Sequence, residues 1–249
     1  MGNRASILTY HSIDDYGSVI STSPETFRRQ MQFLKESACN VVALSEIVDD
    51  LRQDRPLAPR TVALVFDDGY KNIYATAFPI LQEHSFTATV FLITGYCGRY
   101  NDWPGNSPGI ERQPLLSWPE IKEMRRFGLD FGAHTVTHPD LTNLPRQQAE
   151  REIAESKAEI ETQLGNEIGL FAYPYGKHDA KVKELVQMHF HGACGTELGE
   201  VGNWSDPLLL TRIDTYYVSH QLMFSRLHTG FLARYLSLRQ ALRRLKHST

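Results

Sequence analysis

The sequence is short of the features that mark several common protein classes. Its 249 residues include only three cysteines, which lie far apart and form no Cys-x-x-Cys pair, so a thiolate zinc site is not predicted. No run of about 18 apolar residues is present, which argues against a membrane span. There is no glycine-rich phosphate-binding loop, and a formal net charge of −3 gives no general attraction for nucleic acid. We therefore expect no nucleic-acid partner.

The beginning of the sequence also lacks an apolar signal region before its first strand-like segment. As it stands, the sequence predicts a cytoplasmic protein, although an exported protein whose signal had been removed would have the same sequence. The composition, 41% hydrophobic and 22% charged, is that of a globular protein with a sizeable core.

Short apolar, β-branched segments alternate with longer segments of helical periodicity. Strands are predicted over residues 5–10, 61–66, 87–93, 129–133, 169–173, 191–195 and 208–213. Helices are predicted over residues 24–36, 44–51, 71–83, 118–127, 146–164 and 181–188. This alternation predicts parallel strands joined by crossover helices, and about seven strands suit a closed barrel. We expect one domain over residues 1–249, with the barrel over about 5–215 and a C-terminal helix over about 219–246.

An acidic doublet and two histidines suggest a metal-dependent hydrolytic site. Asp67 and Asp68 follow an apolar run, and His134 and His138 are four residues apart. Two imidazoles and one carboxylate can fill three positions of a divalent metal site and leave others open. The second carboxylate could then take a proton from water at that site. We expect Asp68, His134 and His138 to bind one Zn²⁺, with Co²⁺ or Ni²⁺ as alternatives, and Asp67 to be the general base.

Each half of this pattern has a plainer interpretation when taken alone. Asp-Asp-Gly is a common turn sequence, and a lone histidine is more often structural than a ligand. The combination of the two, each next to the end of a predicted strand, favours the metal site. Because Pro139 disfavours a helix that begins before His138, we expect the histidines on a strand end and a bent loop.

These residues also resemble the motifs of a known family. Phe-Asp-Asp-Gly at 66–69 and His-Thr-Val-Thr-His at 134–138 resemble the first two motifs of the polysaccharide deacetylases, which have NodB-homology domains and form carbohydrate esterase family 4. Phe-Ala-Tyr-Pro-Tyr-Gly at 171–176 resembles the third motif. Tyr-His-Ser-Ile at 10–13 and Arg-Ile at 212–213 resemble the branch that deacetylates β-1,6-linked N-acetylglucosamine polymers.

The resemblance implies a distorted (β/α)7 barrel, similar to a TIM barrel, and further roles in the site. The backbone N–H of Tyr175 is implied to stabilise a tetrahedral oxyanion, and Pro174 and Tyr175 to contact the substrate. His11 is implied to protonate the leaving amine; its plainer interpretation is a structural histidine. Most family members carry an arginine two residues before the proline, which orients the base. This sequence has Ala172 there, and Arg212 is our candidate to replace that arginine.

Residues 95–114 read as a long loop over the barrel mouth. Its aromatic residues Tyr96, Tyr100 and Trp103 are candidates to stack on sugar rings, but packing of the loop onto the barrel explains them equally well.

The C-terminal segment carries positive charge only. No acidic residue follows Asp214, and apolar residues at steps of three or four predict an amphipathic helix. Its basic residues are Arg226, Arg234, Arg239, Arg243, Arg244 and Lys246. A basic face suggests peripheral contact with an anionic membrane or a partner protein. We prefer the plainer interpretation, a helix docked on an acidic barrel by its apolar side.

The leading function is therefore hydrolysis of N-acetyl groups on a glycan that contains N-acetylglucosamine. Hydrolysis of a small amide or cyclic imide is a second reading, which a lid over the pocket would favour. A third reading is a metal-free carbohydrate-binding pseudoenzyme. That reading predicts loss of a ligand or of the base, yet all four residues are present.

Overall fold

A computed structural model describes residues 4–107 and 109–247 of the chain, with side chains described as far as Leu245. The side chain of Lys246 and the predicted domain ends at residues 1–3 and 248–249 lie outside the described residues.

Strands and helices alternate along the chain as the periodicity predicts. In chain order the elements are β1 (Arg4–Tyr10), β2 (Ser12–Ile13), β3 (Ser21–Thr22), α1 (Pro24–Glu36), β4 (Asn40–Val42), α2 (Leu44–Arg52), β5 (Thr61–Phe66), α3 (Phe78–His84), β6 (Thr89–Leu92), α4 (Trp118–Arg126), β7 (Asp130–Ala133), α5 (Arg146–Leu164), β8 (Leu170–Ala172), α6 (Ala180–His189), β9 (Gly192–Leu198), β10 (Val201–Gly202), β11 (Leu210–Asp214), α7 (Gln221–Phe224) and α8 (Gly230–His247).

Seven parallel strands close into a barrel, which confirms the (β/α)7 fold expected from the sequence. The order around the barrel is β1, β11, β9, β8, β7, β6 and β5, and β5 pairs again with β1. Leu8 of β1 is in register with Ile213 of β11, and Tyr10 of β1 is in register with Phe66 of β5. Outside this ring, β4 pairs with the first half of β5, and β10 pairs antiparallel with the start of β1.

The strands are buried on both faces, and one helix closes an end of the barrel. All six residues of β5 are buried, as expected for a parallel strand with a continuous apolar sequence. Ala63 and Val65 belong to an inner cluster, whereas Leu64 packs with the surrounding helices. Val48 of α2 joins the inner cluster and lies against Gly192, where an added Cβ would meet it at 2.4 Å. Because Gly192 begins β9, α2 covers the amino ends of the strands and leaves the carboxyl ends for a site.

The helix that we predict over residues 71–83 is divided in two. A π-helical turn, Ile73–Ala77, precedes α3, and the Phe78 N–H bonds to the Ile73 carbonyl five residues earlier. Pro79 has no N–H, and its ring would collide with the Ala75 carbonyl in a regular α-helix. The wider turn avoids that collision.

The continuous helix that we expect over 219–246 is also interrupted. α7 ends at Phe224, and α8 begins only at Gly230, after His228 adopts a left-handed φ of 62°. Since that conformation is incompatible with a right-handed helix, the chain turns before α8. No helix among the described residues is long and apolar enough to cross a bilayer.

α8 docks on the barrel beside β9, in agreement with our preferred interpretation of this segment. Its residues Leu232 and Leu236 are fully buried. The Gln240 side chain accepts a hydrogen bond from the Leu198 N–H at 2.9 Å, and Arg243 donates to the Thr196 carbonyl at 2.9 Å. The helix therefore braces the carboxyl half of β9.

Candidate active site

Most of the predicted site residues meet at the carboxyl-terminal mouth of the barrel. Asp67 and Asp68 follow β5 directly, His134 follows β7, Tyr175 lies in a tight turn after β8, and His11 follows β1. The carboxyl ends of parallel strands share one end of a barrel, so segments distant in sequence reach one cleft. The cleft that they line has a cavity volume of about 180 Å³ and opens to the surface.

Asp68, His134 and His138 form a compact cluster of atoms that can bind a metal ion. Asp68 Oδ1 lies 3.5 Å from His134 Nε2 and 3.7 Å from His138 Nε2, and the two Nε2 atoms are 3.1 Å apart. A tetrahedral Zn²⁺ site with bonds of about 2.0–2.1 Å has ligand atoms about 3.3 Å apart. All three residues are buried. The donor set and its spacing therefore fit one divalent ion.

The hydrogen bonds and charges of the three residues also suit a cation. His134 Nδ1 lies 2.7 Å from the Ala172 carbonyl, which orients Nε2 into the cluster. Burial lowers the pKa of His138 well below its ordinary value, with His134 acting in the same direction, and neutral imidazole is the form that binds metal. Burial raises the pKa of Asp68, and no described residue donates a hydrogen bond to its carboxylate. A cation beside Asp68 would compensate that buried carboxylate.

The segment that joins the two histidines is a bent loop, as Pro139 leads us to expect. Thr135 and His138 have φ angles of 68° and 59°, in the left-handed region that residues other than glycine rarely adopt. The Thr135 hydroxyl accepts a hydrogen bond from the His138 N–H at 2.9 Å. The two histidines therefore converge because the backbone bends sharply, rather than through the spacing of a helix.

Asp67 pairs with Arg212 instead of joining the cluster. Arg212 donates from Nη1 to Asp67 Oδ1 at 2.8 Å and from Nε to the Gly195 carbonyl at 2.7 Å. Both charged side chains are only 4% exposed. Burial alone would raise the pKa of Asp67, but Arg212, followed by His11 and His134, holds that pKa well below its usual range. Asp67 is consequently ionised at neutral pH.

Arg212 and His11 occupy different positions around Asp67. Arg212 is not among the described residues that line the cleft, and its hydrogen bond to Asp67 connects it to the site. Arg212 therefore provides a cation beside Asp67, whereas Ala172, at the position of the arginine found in most family members, does not. His11 does line the cleft; its Nε2 lies 3.8 Å from Asp67 Oδ2, which is too far for a hydrogen bond.

Two aromatic side chains flank His138 on the cleft wall. The Tyr175 ring lies 4.5 Å from the His138 ring and the Trp103 ring lies 5.1 Å from it, measured between centroids. Tyr175 is 40% exposed and Trp103 only 4%. Tyr96 and Pro174 are not among the described residues that line the cleft. Tyr96 follows β6 in a short turn and packs edge-on against Trp103, so packing accounts for it.

Seven residues of the cleft do not emerge as site residues from the sequence interpretation. Besides the predicted residues, the cleft is lined by Val19, Ile20, Asn106, Ser107, Ile110, Tyr173 and Thr196. Val19 is 65% exposed and forms part of an apolar lip. Val19-Ile20 is an apolar pair within an otherwise polar segment, and this is the signal that could have identified it.

A polar network joins the segment after His11 to the long loop over the mouth. Asn72 donates to the Ser12 hydroxyl at 2.7 Å and to Gln113 Oε1 at 3.0 Å. Gln113 in turn donates to Asp14 Oδ2 at 3.1 Å. Since Gln113 belongs to the loop and Ser12 follows His11, the network fixes the two loops relative to each other.

Comparisons with known proteins agree with this geometry. A family model described as polysaccharide deacetylase matches residues 54–192. The poly-beta-1,6-N-acetyl-D-glucosamine N-deacetylase of Staphylococcus epidermidis is 29% identical over 243 residues, which cover 86% of this chain and 81% of that protein. The solved structure of the Streptococcus pyogenes deacetylase PplD in complex with acetate is 26% identical, with a TM-score of 0.76 over 86% of this chain and 93% of that one. The structure of IcaB from Ammonifex degensii, 24% identical, shares the fold with a TM-score of 0.74 over 88% and 97% of the two chains.

Proposed function

Because this chain belongs to the polysaccharide deacetylase family, we propose that it is a metal-dependent hydrolase that removes N-acetyl groups from a glycan containing N-acetylglucosamine. One observation carries the proposal: two adjacent carboxylates have different partners. Asp68 lies with two histidines, whereas Asp67 is paired with Arg212. Amide hydrolysis needs both a centre that polarises the carbonyl group and a base that stays ionised.

Asp68, His134 and His138 would hold the metal ion. One carboxylate and two imidazoles suit Zn²⁺, and also Co²⁺ or Ni²⁺. When bound, such an ion acts as a Lewis acid and makes nearby water more acidic.

Asp67 accepts the proton of the attacking water in this proposal. Arg212 occupies its Oδ1 atom, so Oδ2, on the side of His11, is the oxygen that receives the proton. Because Arg212 is buried and also bound to the Gly195 carbonyl, it fixes the carboxylate in one orientation. Arg212 is therefore a positioning residue, and Asp67 is the catalytic base.

Tyr175 and His11 complete the reaction. The backbone N–H of Tyr175 has no acceptor among the described residues and belongs to a residue with a φ of 58°. A free backbone donor that is already oriented suits a developing oxyanion. His11, with a side chain that is 25% exposed in the cleft, protonates the leaving amine.

We assign the substrate to the β-1,6-linked N-acetylglucosamine class. The position of His11 at the end of β1 supports this assignment, because the sequence around it resembles that branch. The name of the Staphylococcus epidermidis relative supports it as well. Trp103 and Tyr175 line the cleft, which supports contact with sugar rings, and the exposed Val19 would extend the contact surface at the lip.

Acetate release from defined oligomers tests the function. The purified protein is loaded in turn with Zn²⁺, Co²⁺ or Ni²⁺ and incubated with β-1,6-linked N-acetylglucosamine oligomers, chitooligomers and peptidoglycan fragments. We expect acetate mainly from the β-1,6-linked oligomers. Release from chitooligomers alone would support deacetylase activity but contradict the assigned β-1,6 linkage. Turnover of a small cyclic imide alone would contradict the assignment of a glycan substrate.

We further propose that the outer face of α8 contacts an anionic membrane surface. This face is defined by the exposed side chains of Phe231, Leu238, Leu242 and Leu245. Arg234 lies on the same helix and is exposed. No acidic residue follows Asp214, so an anionic surface complements both the charge and the apolar stripe of this helix.

Sedimentation with vesicles tests this contact. We expect binding to vesicles that contain phosphatidylserine, weaker binding in high salt, and little binding to neutral phosphatidylcholine. Replacing Leu238 and Leu242 by serine should reduce sedimentation without changing deacetylation of soluble oligomers. Equal recovery of wild type and variant with the anionic vesicles would overturn the assignment.

A further inference from the structure

The loop between the two histidine ligands has a backbone conformation that needs support. Thr135 has a φ of 68°, and a β-branched residue in the left-handed region is a genuine outlier. His138, at the other end of the loop, has a φ of 59°. Such conformations persist only where the surroundings hold them. The position of both imidazoles depends on this loop.

Glu152 supplies that support from a different element of the fold. Its Oε2 accepts hydrogen bonds from the backbone N–H groups of Val136 and Thr137, each at 2.9 Å. Its Oε1 accepts a hydrogen bond from the Thr137 hydroxyl at 2.7 Å. One carboxylate therefore binds three donors of the segment between the histidines.

Glu152 is itself held in place by the helix that carries it. α5 packs on the barrel through Ala149, Ile153 and Ile160, all fully buried. Glu152 precedes Ile153, so its carboxylate projects from a helix anchored on both sides of it.

The opposite side of the loop is also fixed. The Gly95 N–H donates to the Val136 carbonyl at 2.9 Å, and an added Cβ on Gly95 would lie only 2.7 Å from that oxygen. The Thr94 N–H donates to the Thr135 carbonyl at 3.2 Å. The loop is thus bound by residues that follow β6 on one side and by Glu152 on the other.

We propose that Glu152 is a positioning residue that pre-organises His134 and His138 for metal binding. The inference rests on the proposed metal site and adds a residue outside the motifs. Groups that orient metal ligands typically change metal affinity by about 10- to 100-fold.

Two substitutions at this position separate hydrogen bonding from mere space filling. A glutamine can place its oxygen where Oε2 accepts from both N–H groups, and its amide can donate to the Thr137 hydroxyl. An alanine removes all three hydrogen bonds. Glu152→Gln should therefore retain most of the Zn²⁺ affinity that Glu152→Ala loses. Glu155→Ala is the matched control, because Glu155 is an exposed acid one turn further along α5.

Zn²⁺ affinity, measured by competition with a chromophoric chelator, tests the proposal without an activity assay. We expect Glu152→Ala to weaken binding by about 10- to 100-fold, and Glu152→Gln and Glu155→Ala to stay within about threefold of wild type. Thermal unfolding of each metal-free protein is measured in parallel. A Glu152→Ala variant that unfolds at a lower temperature than wild type, yet binds Zn²⁺ with wild-type affinity, would overturn the proposal. If wild-type protein does not bind Zn²⁺ and His134→Ala changes nothing, the metal site itself fails, which is a different result.

Discussion

The two walls of the cleft are assembled in different ways. The ligand wall consists of Asp68, His134 and His138. The base wall consists of His11 and Asp67, together with Arg212, which supports Asp67 from behind. Two members of the ligand wall lie in one loop four residues apart, so a short motif nearly specifies them. In the base wall, His11 follows β1 and Arg212 lies in β11, which are the first and last strands of the barrel and pair with each other. The base wall therefore exists only in the closed barrel.

The adjacent residues Asp67 and Asp68 show what this difference means for charge. Asp67 already has a cation, since Arg212 lies 2.8 Å from it and lowers its pKa against the effect of burial. Burial raises the pKa of Asp68, which receives no hydrogen bond from a described residue. In the proposed site, a divalent ion would compensate Asp68, while Asp67 would keep its charge for proton transfer. The two neighbouring carboxylates therefore differ because different residues surround them.

Breaking the ligand wall should have the largest effect. His134→Ala removes one of three donors, and we expect Zn²⁺ binding to be lost and activity to fall by about 10⁴-fold or more, because the Lewis acid and the acidified water disappear together. Calorimetric titration with Zn²⁺ and acetate release measure the two effects. His191→Ala, next to the amino end of β9, is the control. Wild-type Zn²⁺ affinity in His134→Ala would exclude this cluster as the metal site.

Asp67→Asn should distinguish the function of the base wall from that of the ligand wall. The variant keeps all three ligands but cannot accept a proton, so we expect turnover to fall by about 10²- to 10⁴-fold with Zn²⁺ affinity nearly unchanged. Asp68→Asn should weaken metal binding and turnover together. Both quantities are measured on the same preparations. Equal loss of metal in the two variants would show that the roles are not divided in this way.

The sequence predicts the ligand wall and the barrel well, and physical reasons explain this success. Strand and helix periodicity is local, and the predicted bounds of β5, α1 and α5 match the structure. The convergence of Asp68 with the histidines follows from their positions at strand ends, because parallel strands share one mouth. Even the bent loop at His138 follows from Pro139.

The base wall and the residues of the loop over the mouth are harder to predict from the sequence. Arg212 is a candidate from the sequence, but its two hydrogen bonds depend on barrel closure between strands distant in the chain. Tyr96 and Trp103 belong to one loop, yet only Trp103 lines the cleft, since the direction of a loop side chain is set by tertiary packing. Glu152 carries no motif signal, because its role arises from α5 lying beside the histidine loop.

His11→Ala should break the base wall on the side of the leaving group. We expect amide hydrolysis to fall by about 10²- to 10³-fold with metal content unchanged, because a positioned proton donor is lost. Hydrolysis of an activated acetate ester, whose leaving group needs little protonation, should change far less. The ratio of the two rates is the measurement. His228, a histidine of the C-terminal segment that does not line the cleft, is the control. A selective loss in His228→Ala but not in His11→Ala would place the acid in that segment instead.

Arg212→Lys should have the smallest effect of these substitutions. Lysine retains the charge but cannot bind Asp67 and the Gly195 carbonyl together as the guanidinium does, so we expect kcat to fall about tenfold with Zn²⁺ affinity unchanged. Arg212 lowers the pKa of Asp67, so weakening the pair raises that pKa, and activity should be lost at a higher pH on the acidic side of the profile. Arg125→Lys, in a partly exposed pair with Asp130, is the matched control. An acidic limb in Arg212→Lys that coincides with wild type would mean that Arg212 does not set the ionisation of the base.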